Sequence, residues 1–413
     1  MTPISGPFPV FSRPVAYHDF TASMVAITGA GAACALGQNL PECHAMLHAG
    51  QSGLRPLGES GLVIPEKFQS LLAGWIPDRS YLKGRRYGAA SNAAVHAARE
   101  AISAAGWDAA EAHETWLWVG TSRGNVGELA GAWSSRRPVR KFAASNTMHS
   151  EIAAAISIQL GIHGPWQVIS NGCAAGLDAL GHAAIAVALG WTPRALVVAV
   201  DLPLMAPLLE DFAATGLLAI HGPNDPYSKK AAGFLPGEGV AAITLEAHPK
   251  HAAPWCQLTA YAANADAHDA IALPASGQPL AEMIQALAQC LPHGQRFEAL
   301  CPHATGTAAH RVSEAAALAC AFPQTPDASS FPTLHVLKPF TGHTLGASGL
   351  LDTALLASSL KSQVLPPNQQ GAKPPASGWE LPTEARFFPQ GASLLKVAAG
   401  MGGHNAGVVL RRF

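Results

Sequence analysis

Residues 166–200 read WQVISNGCAAGLDALGHAAIAVALGWTPRALVVAV. A short apolar run at Trp166–Ser170 breaks at Asn171-Gly172. An alanine-rich stretch of helical composition follows over 174–189, and a second apolar run, Ala195–Val200, closes the segment. Strand, helix and strand in this order predict α/β layering with a buried sheet. The break places Cys173 on the turn where the helix begins, flanked by small residues that leave room for a substrate. The positive end of the helix dipole is expected to favour its thiolate over its thiol. The competing reading is a cysteine that only packs.

The same style extends outward. Helical segments are expected at 88–105 and 149–160, and a strand at Thr115–Gly120. Met24–Thr28 reads as a strand that ends in a tight turn at Gly29-Ala30-Gly31. In the second half, strands are expected at 241–245, 257–262, 299–302, 334–337, 393–399 and 406–411. Helices are expected near 279–291, 311–321 and 349–360. The proline-rich stretches 323–332 and 363–390 read as surface connections. The run His248-Pro249-Lys250-His251-Ala252-Ala253-Pro254 interrupts the periodic pattern. Three segments follow: an extended arm over 1–22, an α/β half over 23–250 and a second over 251–413.

The composition narrows the function classes. Of 413 residues, 49% are hydrophobic and 13% charged, so much apolar surface has to be hidden in a layered core or a subunit interface. A net charge of −1 gives no bulk attraction to nucleic acid or to an anionic membrane. The cluster Arg136-Arg137-Pro138-Val139-Arg140-Lys141 is short and lacks the interleaved aromatics of a nucleic-acid face. With Arg85 and Arg86 it is either a solvated face or an attraction for an acidic partner. Seven widely spaced cysteines without a CxxC pair suggest neither a disulfide framework nor a zinc ribbon. A reducing, cytoplasmic location is expected, with no secretory leader and no unbroken membrane span.

Three further motifs could carry chemistry. Pro302-His303-Ala304-Thr305-Gly306-Thr307 follows an apolar strand and precedes a helix, so His303 is free to project into a site. Lys338-Pro339-Phe340-Thr341-Gly342-His343-Thr344-Leu345-Gly346 is again a strand end leading to a turn, with a glycine before His343. Lys338 stands in a stretch poor in charge, which reads as a buried, paired lysine or as a solvated strand end. Gly400-Met401-Gly402-Gly403-His404-Asn405 lies between the last two strands, where three glycines permit close backbone approach and amides aimed at a ligand. Alone, it could be only a tight hairpin.

Taken in order, a cysteine at a helix start, two histidines at strand ends and a glycine hairpin resemble the β-ketoacyl synthases, condensing enzymes of the thiolase superfamily. The resemblance runs over nearly the whole chain, from VAITGAGAACALG (25–37) through GTSRGN (120–125) and GFLPGEG (233–239) to GMGGHNAGVVL (400–410). It implies a thiolase fold: two pseudo-duplicated α/β halves in α-β-α-β-α layers. It also implies a catalytic triad of Cys173, His303 and His343, with Cys173 accepting an acyl group from the phosphopantetheine of an acyl-carrier protein. Malonyl-carrier protein would then condense with that acyl group after losing carbon dioxide, in fatty-acid, polyketide or polyene synthesis. The backbone N–H groups of Cys173 and Met401, with Gly402 beside them, would form the oxyanion hole and gate. Lys338 and Glu314 would support His343 through a buried ionic network. No metal or redox cofactor is implied, and the expected assembly is a homodimer or a heterodimer with a related subunit.

The chain departs from the family pattern at Ala304, where the family has glycine, at Arg311, where an acid is expected, and at Met401, where phenylalanine is usual. Asn171-Gly172 and Ala174-Ala175 also replace the usual hydroxyl-rich neighbours of the nucleophile. These changes suggest a specialised branch. They leave open a chain-length-factor-like partner subunit, which shapes a product without condensing, although such partners usually lack the cysteine present here. A Cys/His hydrolase would leave His343, Lys338 and the glycine hairpin without a role. A thiolase would need a cysteine near the C-terminus, and none follows Cys320. Pocket depth is expected to depend on Met205, Phe212, Met401 and residues 127–148.

Overall fold

The computed structural model describes residues 14–132, 141–323 and 331–413. The arm 1–13 and most of the basic cluster at 136–141 lie outside them. Eleven strands form one continuous sheet system: β1 (Ala16–Asp19), β2 (Ala26–Cys34), β3 (Trp116–Gly120), β4 (Trp166–Ile169), β5 (Arg194–Asp201), β6 (Gly239–Glu246), β7 (Cys256–Ala265), β8 (Phe297–Cys301), β9 (Thr333–Leu334), β10 (Ser393–Ala399) and β11 (His404–Arg411). Among the described residues six helices of ten or more residues pack on it: α1 (Ala89–Ala105), α2 (Glu151–Leu160), α3 (Ala175–Ala188), α4 (Gln278–Ala288), α5 (Ala308–Ala321) and α6 (Ser348–Lys361).

The sheet divides into two five-stranded units with the same plan. In the N-terminal unit the order is β4-β3-β5-β6-β2, and in the C-terminal unit it is β9-β8-β10-β11-β7. In each, the first two pairings are parallel and the last two antiparallel. The units join where Ala26 and Ile27 of β2 pair with Gln257 and Cys256 of β7, and β1 extends the same edge of β7.

Alternation along the strands sorts side chains into layers, because successive residues point to opposite faces. On β5, Ala195, Val197 and Ala199 face a central layer containing α3 and α6, while Leu196, Val198 and Val200 face α1 and α2. On β10, Leu394 and Ala398 face the same central layer, and Leu395 and Val397 face α4 and α5. The result is a five-layered α-β-α-β-α block with two duplicated halves, as the sequence led us to expect.

Two local expectations are corrected. Gly29 and Gly31 do not make a turn, because β2 continues through them to Cys34. A Cβ at either position would collide with the α1 backbone, at Ala101 and Ala97 respectively, so these glycines let helix and strand approach closely. The strand expected over 334–337 ends at Leu334, and Lys338–Thr341 forms a short buried helix. Lys338 is therefore neither a strand end nor solvated.

Candidate active site

The site lies where elements of both halves meet. Cys173 sits in a 3-10 turn, Gly172–Ala174, that leads directly into α3. A second 3-10 turn, Leu345–Ala347, leads in the same way into α6 and follows His343. His303 follows β8 and precedes α5. The three side chains converge. His343 Nε2 is 3.2 Å from Cys173 Sγ, and the His303 and His343 rings stand edge-to-face with centroids 5.2 Å apart. One ligand atom from each of the three residues falls within a 4.8 Å cluster. All three residues are buried at the wall of a cavity of about 350 Å³. Phe212, Phe234, Leu345 and Met401 supply much of its apolar lining, with Thr305, Thr307 and His310 adding polar groups.

The hairpin between β10 and β11 closes over the nucleophile turn. Gly400 lies so near that a Cβ there would be 3.3 Å from both Asn171 O and Cys173 N. The Met401 backbone favours the charged form of Cys173, and Met401 is 38% exposed where it lines the cavity. Met205 faces a separate neighbouring pocket, away from this cavity.

The chain matches the N-terminal domain of β-ketoacyl synthase over residues 22–251 and its C-terminal domain over 255–371. It belongs to the β-ketoacyl synthase family. The tetracenomycin polyketide synthase ketoacyl synthase alpha subunit of Streptomyces glaucescens is 28% identical over 421 residues, covering 94% of this chain and 97% of that protein. A relative from Streptomyces halstedii is 31% identical over 279 residues, which span 63% of this chain and 64% of that protein. Among solved structures, a type II polyketide acyl-carrier protein in complex with its ketosynthase superposes with a TM-score of 0.82 at 23% identity. That match covers 95% of this chain and all of that one. The synthase thus has the thiolase fold and is a condensing enzyme of the acyltransferase class.

Its electrostatics overturn one expectation. Burial pushes the Cys173 thiol up to about 11, against the opposing influence of Lys338, so Cys173 rests as a neutral thiol despite its place at a helix start. Burial, and then the charge of Lys338, hold His303 and His343 well below the ordinary imidazole range, so both rings are neutral near pH 7. The Nδ1 atoms of both rings are buried without a hydrogen-bond partner.

Lys338 and Glu314 are not in direct contact, although the charge of Glu314 is felt at Lys338. Glu314 accepts from His303 N at 2.7 Å, Ala304 N at 3.0 Å and Tyr227 Oη at 2.8 Å. Burial alone would raise this carboxyl, but His310 and these donors bring it down to about 2. Lys338 Nζ instead lies 3.6 Å from Asp352 Oδ2, which Lys396 Nζ also approaches, at 2.6 Å. Lys396 reaches Pro302 O as well, one residue before His303. Neither Lys396 nor Asp352 stood out in the sequence. Their signal was a lysine in the otherwise apolar strand β10 and an aspartate in the apolar helix α6.

The departures now have physical accounts. Ala304 adopts φ +46°, a left-handed conformation that glycine takes without cost. Its methyl packs with Tyr227 and Val336, and Glu314 holds its amide. Arg311 donates to Ser228 O at 2.7 Å and Ala231 O at 3.2 Å, so the reversed charge ties α5 to the 223–234 loop through backbone carbonyls. A buried aspartate, Asp201, organises the other half of the site. It accepts from Thr121 Oγ1, Ser122 N, Arg123 N and Gly346 N at 2.8–3.0 Å, tying the GTSRGN turn to the turn before α6. Burial raises it to about 6 despite those four donors.

No helix among the described residues is long and apolar enough to cross a membrane.

Proposed function

We propose that this synthase uses Cys173, His303 and His343 to elongate a carrier-bound acyl chain by decarboxylative condensation. The 3.2 Å approach of His343 Nε2 to Cys173 Sγ, on a cavity wall shared with His303, carries this reading. The acyl group arrives as a thioester on the phosphopantetheine arm of an acyl-carrier protein. As the thiol attacks, its proton passes to neutral His343 and then to the departing pantetheine sulfur. The tetrahedral oxyanion is met by the N–H groups of Cys173 and Met401, in a hairpin that Gly402 keeps open. Such donors are each worth about 3–4 kcal/mol of transition-state stabilisation.

The malonyl thioester enters next. Its C–C bond to the carboxylate breaks and carbon dioxide leaves. The electron pair passes to an enolate whose oxygen accepts hydrogen bonds from His303 and His343. The enolate carbon bonds to the acyl carbon as the Cys173 C–S bond breaks, and the sulfur regains a proton from solvent. Glu314 and Lys338 act as supporting residues, the first through the His303 backbone and the second through its charge beneath the rings. No cofactor beyond the carrier's phosphopantetheine enters this scheme, and the cytoplasm is the compartment it assumes.

The division of labour follows the fold, with residues 23–250 bringing the nucleophile and 251–413 the histidines. Among the described residues strand β4 pairs along one edge only, and Trp166 is exposed. Pairing there with a second copy or a related ketosynthase subunit would extend the sheet.

Intact-protein mass spectrometry after incubation with acyl-carrier thioesters tests the reading, with Cys173→Ala alongside. The expected result is a mass gain equal to the acyl group in the parent and none in the variant. No gain across short, long and unsaturated chains would overturn it in favour of a non-condensing partner subunit.

A further inference from the structure

The cavity holds a third imidazole that the scheme above leaves idle. His310 projects from the first turn of α5, which Thr307 caps, and it lines the same cavity as Cys173, His303 and His343. Its ring meets His303 edge-to-face with centroids 4.9 Å apart. Its Nε2 lies 3.3 Å from Glu314 Oε2, and both side chains are almost wholly buried.

The charges divide unevenly around this cavity. A buried carboxylate requires a cationic or hydrogen-bonding partner, and the basic side chain in contact with Glu314 is His310. Lys396 bonds Asp352 at 2.6 Å and Lys338 lies 3.6 Å from the same carboxylate, and neither lysine lines this cavity. His303 and His343, held neutral, can each donate one hydrogen bond but bring no charge to an anion. A malonyl donor is an anion, and its carboxylate must enter this cavity.

We propose that His310, held by Glu314, is a further catalytic residue that receives the donor's carboxylate before decarboxylation. With Nε2 turned to Glu314, Nδ1 is the nitrogen left for the ligand. The two ring nitrogens then face two carboxylates, that of Glu314 on one side and that of the substrate in the cavity on the other. No proton is transferred in this step: His310 holds the group whose C–C bond then breaks, and it is unchanged when carbon dioxide leaves. The assignment rests on the condensing reading above and adds a division of tasks to it. Cys173 and His343 act on the acyl donor, His303 and His343 on the enolate, and His310 on the malonyl carboxylate.

The test compares the parent with His310→Ala and His310→Asn as full chains. Acylation of Cys173 is read by intact mass, and decarboxylation by labelled carbon dioxide released from malonyl-carrier protein. Both variants are expected to acylate within about threefold of the parent and to release carbon dioxide about 100-fold more slowly, with a raised KM for the malonyl thioester. Added imidazole is expected to restore part of the loss in His310→Ala. Unchanged carbon dioxide release in both variants overturns the proposal. So does a parallel fall of acylation, decarboxylation and thermal midpoint, which marks a purely structural role. A parent that fails to acylate removes the underlying condensing reading, and this assignment with it.

Discussion

The two halves lay five strands in the same order and direction, yet they bring different side chains to the cavity, Cys173 from the first and His303, His310 and His343 from the second. Each sends a 3-10 turn into a fourteen-residue helix of the central layer, Gly172–Ala174 into α3 and Leu345–Ala347 into α6. Each also anchors the turn after its central parallel strand on one buried carboxylate. Asp201 holds Thr121–Arg123 after β3, and Glu314 holds His303–Ala304 after β8. In the first half the carboxylate faces only backbone amides and a hydroxyl, and the turn it holds is scaffold. In the second it also touches an imidazole, and the turn bears a histidine of the cavity. The frame is the same in both halves, and the histidines that line the cavity all belong to the second.

Removing the two anchors puts the equivalence under the greatest strain. Asp201→Ala orphans four donors and Glu314→Ala three, so each is expected to lower stability by about 3 kcal/mol or more, read from urea denaturation. Partial activity per folded molecule should survive the first change and not the second. If Asp201→Ala costs under about 1 kcal/mol, the two carboxylates are not counterparts.

A feature with no counterpart in the first half gives the next effect. Asp352→Asn leaves two buried lysines without their carboxylate and is expected to cost about 3 kcal/mol. Adding Lys396→Met should recover part of that loss in thermal unfolding. No recovery would mean that the ties of Lys396 to Pro302 O and Cys301 Sγ matter more than its charge.

The smallest effect concerns the clamp between the halves. His404 Nε2 lies 2.6 Å from Asp178 Oδ2, joining the glycine hairpin of the C-terminal half to α3 of the N-terminal half. Burial opposes the charge on His404, but the hydrogen bond and charge of Asp178 win and raise it above 6.5. A raised folded-state value contributes stability in full below the unfolded value, and loses it as pH rises through the folded value. The thermal midpoint of the parent should therefore exceed that of His404→Gln most clearly near pH 6, with the gap narrowing toward pH 9. A gap independent of pH would rule out the charged pair.

Much of this architecture was legible in the residues because it rests on local patterns. Apolar runs and alanine-rich stretches placed most strands and helices within a few residues, and the turns after them put Cys173, His303 and His343 where they converge. What could not be read was pairing across long separations. Gly29 and Gly31 look like a turn until α1 is laid over them. Glu314 and Lys338 look like partners until Asp352, in another helix, takes the lysine. The helix-start argument for a Cys173 thiolate failed for the same reason, since depth of burial is a property of the assembled layers.

The joint between the halves has a consequence for how the chain is made. Of the five strands of the first unit, β2 is the one that pairs with β7, through Ala26 and Ile27, and every strand of that unit has been translated by Glu246. That unit can complete its hydrogen bonds while the histidine-bearing half is still untranslated. Its inner face, with α3 and the cysteine upon it, then waits in water for α6, about a hundred residues later. The surface that will line the cavity is thus sheltered only once the second half has been made.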